Sequence, residues 1–82
     1  MQDAFRDDLA YWVATDVRIA QRLLRIVDET LRNPFSGIGK PEPLKQAAGL
    51  WSRRLTEEDR VAYRVTPEYV DFLQARFHYR GL

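Results

Sequence analysis

Residues 15–34 read Thr-Asp-Val-Arg-Ile-Ala-Gln-Arg-Leu-Leu-Arg-Ile-Val-Asp-Glu-Thr-Leu-Arg-Asn-Pro, a segment marked as a helix at both ends. Thr15 and Asp16 carry side-chain oxygens that can cap a helix start. Ala20, Leu23, Leu24, Val27 and Leu31 then recur at helical spacing and predict one apolar face. Arg18, Arg22, Arg25, Asp28, Glu29 and Arg32 fall on the other. Asn33-Pro34 ends the helix, because proline restricts the residue before it and lacks a backbone donor. Upstream, roughly Asp3 to Ala14 predicts a first helix with Phe5, Leu9, Trp12 and Val13 turned inward, so the two form a helical hairpin. Downstream, Pro34 to Leu50 reads as an ordered loop: Gly37, Gly39, Pro41 and Pro43 forbid a long regular element, and Phe35, Ile38 and Leu44 anchor it. Three strands are expected at about 50–55, 60–65 and 69–77, with connections short enough to imply an antiparallel meander. Val61, Tyr63 and Val65 alternate with Ala62 and Arg64, which predicts one face packed on the helices and one wet. The fold class is therefore α+β, two N-terminal helices on a small twisted antiparallel sheet.

The 82 residues suit a single domain spanning 1–82, of which about 60% of the unfolded surface can be buried at this size. No cysteine is present, so neither disulfides nor thiolate metal sites are available, as suits a reducing, cytoplasmic setting. The longest apolar run, Leu9 to Ala14, is six residues, far short of the ~20 that cross a bilayer, and no membrane partner is expected. Net charge is +1 and selects no partner by itself. Its distribution is uneven: residues 1–33 carry five arginines and six acids, residues 34–82 eight Lys/Arg and six acids. Three of those last acids are Glu57, Glu58 and Asp59, so the rest of the second half is basic. Trp51, Tyr63, Phe77 and Tyr79 interrupt it, a pattern compatible with RNA, since phosphates attract cations and unstacked bases attract flat rings. A solvated sheet face with ordinary core aromatics reads the same way.

One carboxylate, several strong cations and the only histidine make up the inventory of a metal-free ribonuclease. An RNA phosphodiester is cut without a metal when a base takes the 2′-hydroxyl proton, a cation neutralises the phosphorane and an acid protonates the departing 5′-oxygen. Glu42 lies between two prolines that stiffen its backbone, and a glutamate is ionised at neutral pH. The same Pro-Glu-Pro also reads as a plain rigid turn. His78 can hold or lose a proton near neutrality, a histidine's ordinary pKa being about 6.5. Arg60 can offer a phosphate a forked donor, or pair with Glu57 or Glu58. Arg53 and Arg54 are neighbours on a strand, project to opposite faces, and only one can join a given site. Lys45 suits phosphate gripping, and Tyr79 can orient RNA or stack on a base. A metal site is not expected, because no second histidine and no cysteine exists to build one.

Several blocks, in order, resemble the YoeB/Txe branch of the RelE-like toxins of bacterial type II toxin–antitoxin systems. They are Asn33-Pro-Phe-Ser-Gly-Ile-Gly-Lys-Pro-Glu-Pro-Leu-Lys45, Trp51-Ser-Arg-Arg-Leu-Thr-Glu-Glu-Asp-Arg60 with Tyr63-Arg64, and Ala75-Arg-Phe-His-Tyr79. The resemblance implies a ribosome-dependent endoribonuclease that cuts mRNA, needs no cofactor, and is held inactive by a cognate antitoxin, as a homodimer or a toxin–antitoxin hetero-oligomer. It implies Glu42 as base, His78 as acid and Arg60 as the phosphate-stabilising cation, with Tyr79, Lys45 and Arg54 at supporting positions. This chain departs from the pattern at four places. The short strand that begins the family is missing, which leaves a sheet edge to cover. Asp59 stands where the family has histidine, the loop from Lys45 to Trp51 is one residue shorter, and Arg80-Gly81-Leu82 extends the terminus. The alternative reading is a toxin-fold module that binds an antitoxin or RNA without cutting.

Overall fold

The structure is a computed structural model and describes residues 1–45 and 48–77. Helix α1 (Asp3–Thr15) and helix α2 (Val17–Arg32) are followed by strands β1 (Glu42–Pro43), β2 (Leu50–Arg54), β3 (Arg60–Val65) and β4 (Val70–Gln74), in one antiparallel sheet of order β1-β2-β3-β4. The break between the helices is fixed by Asp16, whose extended backbone stops α1 while its carboxylate accepts the Arg18 N–H and caps α2. The helices pack on one face of the sheet, where Phe5, Trp12, Ala20, Leu23 and Ile26 meet Leu55, Val61, Tyr63, Phe72 and Ala75.

The helical faces differ from their expected composition. Leu24 and Leu31 are exposed, as is Val13, while Ile26 and Thr30 are buried. Two polar residues one heptad apart set the rotation of α2. Arg22 donates to the carbonyls of Arg54 and Leu55, and Glu29 accepts from the Ile38 N–H and Arg53. With Arg22 and Glu29 turned to the end of β2 and the loop, Ile26 and Thr30 must face inward.

Two strand expectations also change. The Pro-Glu-Pro segment is an edge strand, with Glu42 opposite Ser52, Pro43 opposite Trp51, and the Leu44 N–H bonded to the Leu50 carbonyl. Proline is tolerated at such an edge because its missing donor costs no ladder bond there. At the other edge β4 stops at Gln74 and does not reach Phe77. Both polar groups of Ala75 are taken by α1: its N–H donates to buried Asp8 at 2.8 Å, and its carbonyl accepts from Trp12 Nε1 at 2.9 Å. A residue whose backbone is satisfied by side chains has nothing left for a ladder.

Among the described residues no strand precedes α1; Gln2 donates its N–H to the Phe72 carbonyl on the β4 edge. Asp71 anchors this contact, receiving the Gln2 amide at 2.6 Å and the terminal ammonium at 2.9 Å. The Gln2 hydrogen bond first, and then the ammonium, hold the Asp71 carboxyl below the ordinary aspartate range. A depressed folded pKa means the contribution is complete above the unfolded value and disappears as pH falls through the folded one. Thermal unfolding followed from pH 6 downward is therefore expected to show an acid-side loss of stability that shrinks in Asp71→Asn. Equal acid losses in both proteins would contradict this.

Candidate functional site

Strand register assembles one face of the sheet from three elements. Glu42 lies opposite Ser52, Ser52 opposite Ala62, and Arg54 opposite Arg60. Directly paired residues share a face, as do residues two apart on a strand. Glu42, Ser52, Arg54, Arg60 and Ala62 therefore belong to the face away from the helices. Arg60 Nη1 donates to Glu42 Oε1 at 2.7 Å and reaches Ser52 Oγ at 3.4 Å. Arg60 thus pairs with Glu42 rather than with Glu57 or Glu58. Ser52 and Ala62 are fully buried and form the floor. Arg54 and Arg60 lie opposite each other as a like-charge cross-strand pair, whose repulsion the Glu42 carboxylate on Arg60 offsets. Lys45 is exposed at the end of the β1 segment.

Arg53 takes the opposite face and has no solvent exposure. Its guanidinium gathers the loop above it: Nη2 donates to the carbonyls of Asn33 at 2.6 Å and Ser36 at 3.0 Å, and Nη1 to the Ile38 carbonyl at 3.1 Å and Glu29 at 3.3 Å. Nε reaches the Tyr63 hydroxyl, which donates to the Pro34 carbonyl. Burial pushes the Tyr63 phenol pKa up. This hub holds the loop that carries Glu42 to the sheet edge. Gly39 completes the closure, with φ +79°, its carbonyl accepting from the Arg54 N–H, and a Cβ there falling 2.8 Å from the Arg54 carbonyl oxygen.

The aromatic residues divide differently from the expected basic surface. Tyr63 is fully buried in the core, and Trp51 is half-buried with Phe35 against its ring. Phe77 is exposed. Arg76 is held by cation–π contacts, 3.5 Å above the Tyr11 ring and 4.8 Å from that of Phe77.

The described chain ends at Phe77, beside Arg60. The Phe77 carbonyl accepts from the Arg60 N–H at 3.1 Å, and its N–H donates to Asp59 Oδ1 at 2.8 Å. His78 and Tyr79 lie outside the described residues. Thus the structure brings Glu42 and Arg60 into contact, sets Arg54 on their face, and leaves Lys45 exposed nearby in sequence. Ser52 and Asp59 were not among the expected site residues, and of the two neighbours Arg53 and Arg54 it is Arg53 that falls on the buried face. The only sequence signal of Ser52 and Asp59 was position, opposite Glu42 or next to Arg60, which becomes readable once the register is known. Among the described residues no group of His, Cys, Asp and Glu could hold a metal ion, and no helix is long and apolar enough to cross a membrane.

Known proteins match over nearly the whole chain. The model of the YoeB-like toxin of bacterial type II toxin–antitoxin systems matches residues 1–79. Toxin YoeB of Escherichia coli O6:H1 is 49% identical over 74 residues, covering 89% of this chain and 88% of the relative. Among solved structures, a YoeB/ParE toxin from Agrobacterium tumefaciens superposes with a TM-score of 0.88 at 42% identity, covering 95% of this chain and 94% of that one. Two from Staphylococcus aureus, described as a YoeB dimer and a YoeB–YefM complex, superpose at 0.86 and 0.83 with 29% and 28% identity, each covering 95% of this chain and 92% of the other. The chain belongs to the YoeB-like toxins of bacterial type II toxin–antitoxin systems.

Proposed function

We propose that the chain is a metal-independent endoribonuclease that cuts mRNA on the ribosome. Glu42 takes the proton from a ribose 2′-hydroxyl, and the 2′-oxygen attacks the adjacent phosphorus. Arg60 receives the charge that develops on the phosphorane, assisted by Arg54 and Lys45. The P–O5′ bond breaks as His78 protonates the departing 5′-oxygen, with Tyr79 orienting the RNA. One product ends in a 2′,3′-cyclic phosphate and the other in a 5′-hydroxyl.

The observation that carries this reading is the 2.7 Å contact between Glu42 and Arg60 on the face away from the helices. A base and a phosphate-binding cation must both lie within hydrogen-bond reach of the same nucleotide. His78 follows by one peptide bond the carbonyl that rests on the Arg60 N–H. The partners in this reading are the ribosome with its mRNA and a YefM-like antitoxin. The Staphylococcus aureus assemblies support the antitoxin and a homodimer as assembly states.

Induced expression of the chain without antitoxin, compared with a Glu42→Ala/His78→Ala double variant, is the test in cells. Growth arrest is expected with the first and normal growth with the second. Arrest by both would overturn the reading, and normal growth with both would favour a binding module that does not cut.

A further inference from the structure

Asp59 holds the last described residue. Its Oδ1 accepts the Phe77 N–H at 2.8 Å, its Oδ2 accepts the Thr56 hydroxyl at 2.8 Å, and its own N–H returns a bond to Thr56 Oγ1 at 3.0 Å. The turn from Thr56 to Asp59 is closed further by the Leu55 and Thr56 N–H groups, both bonded to the Asp59 carbonyl. On the next residue, the Arg60 N–H takes the Phe77 carbonyl. Both polar groups of Phe77 are thus fixed by two consecutive residues, Asp59 at the end of the β2–β3 turn and Arg60 at the start of β3. Phe77 itself has φ +59°, left-handed backbone that an L side chain adopts only when its surroundings enforce it. The clamp lies at the root of Arg60, and the carbonyl it fixes is bonded to the nitrogen of His78.

We infer that Asp59 is a positioning residue for the RNA-cleaving site: by accepting the Phe77 N–H it holds the left-handed residue that directly precedes His78 in sequence against the backbone of Arg60. The inference rests on the ribonuclease reading above and adds to it a residue that touches no substrate. It also gives the acid next to Arg60 a defined use, since both carboxylate oxygens are engaged away from that guanidinium.

Three variants test it in steady-state cleavage of mRNA on programmed ribosomes. Asp59→Ala removes the acceptor and the charge. Asp59→Asn removes the charge and the Thr56 contact but keeps an oxygen for Phe77. Thr56→Val loosens the turn and leaves the Phe77 bond in place. Misplacing a catalytic group by about 1 Å costs on the order of 100-fold, so Asp59→Ala is expected to lower kcat by roughly 10- to 100-fold with KM within about twofold. Asp59→Asn and Thr56→Val are expected to keep kcat within about threefold of the parent, and exchange of the Phe77 amide is expected to rise only in Asp59→Ala. An Asp59→Ala protein with parental kcat, or a Thr56→Val protein with the same loss, would overturn the positioning role while the ribonuclease reading stood. A parent chain that does not cut under any condition would overturn both.

Discussion

Replacing Arg53 with alanine is expected to cost about 3–5 kcal/mol of folding stability, since three carbonyls lose their donor at about 1–3 kcal/mol for each one left unsatisfied. For an 82-residue chain, whose total stability is roughly 4–12 kcal/mol, that is enough to unfold a large fraction of molecules. Arg53 is wholly buried and satisfies the carbonyls of Asn33, Ser36 and Ile38 together with Glu29. Alanine leaves three carbonyls without this donor and Glu29 with only the Ile38 N–H, and no water-sized repair reproduces a planar fork. Arg53→Lys keeps the charge but cannot span the same acceptors, and should recover only a minor part of the loss. Thermal unfolding provides the check, with a fall in Tm of about 10 °C or more expected for a domain of this size. A shift of less than about 4 °C would show that the loop is held by other contacts.

Arg60→Ala and Glu42→Ala are expected to behave in the opposite way, with large losses of activity and small losses of stability. Their ion pair is open to water on one side, Glu42 being 52% exposed, and such pairs contribute about 0–1 kcal/mol. In the reaction, removing a donor aimed at developing charge costs about 10²–10³ in rate, and removing a general base about 10²–10⁴. In the proposed reaction both groups act on the same nucleotide, so the double variant should lose less than the product of the single losses. Single-turnover cleavage and urea unfolding of the same preparations separate the two effects. Full additivity would mean that Glu42 and Arg60 work at separate points.

Much of this fold was legible along the chain. The Asp16 cap, the Pro34 stop and the alternation of Val61, Tyr63 and Val65 are local signals, and the elements they predict are present. What local signals missed was decided by contacts distant in sequence. β4 ends early because Asp8 and Trp12, 67 and 63 residues away from Ala75, capture its backbone. The outward turn of Leu24 and Leu31 follows from the bonds of Arg22 and Glu29 to β2 and the loop, which apolar periodicity does not register. Glu42 became a strand residue because pairing with Ser52 tolerates its flanking prolines only at an edge. In the site, adjacency already implied that Arg53 and Arg54 diverge, and register then assigned Arg54 to the face of Glu42 and Arg60. The use of Asp59 was illegible, because its partner lies 18 residues downstream in a backbone conformation that phenylalanine seldom adopts.

In the proposed reaction a carboxylate and a cation on one sheet face cut RNA by internal transfer from the 2′-oxygen. The most direct measurement is end-group analysis of mRNA cleaved on programmed ribosomes in excess chelator, by the parent chain and by Glu42→Ala and His78→Ala. Fragments ending in 2′,3′-cyclic phosphate and 5′-hydroxyl, lost in both variants, are the result expected. Fragments ending in 3′-hydroxyl and 5′-phosphate, or undiminished cutting by Glu42→Ala, would contradict it.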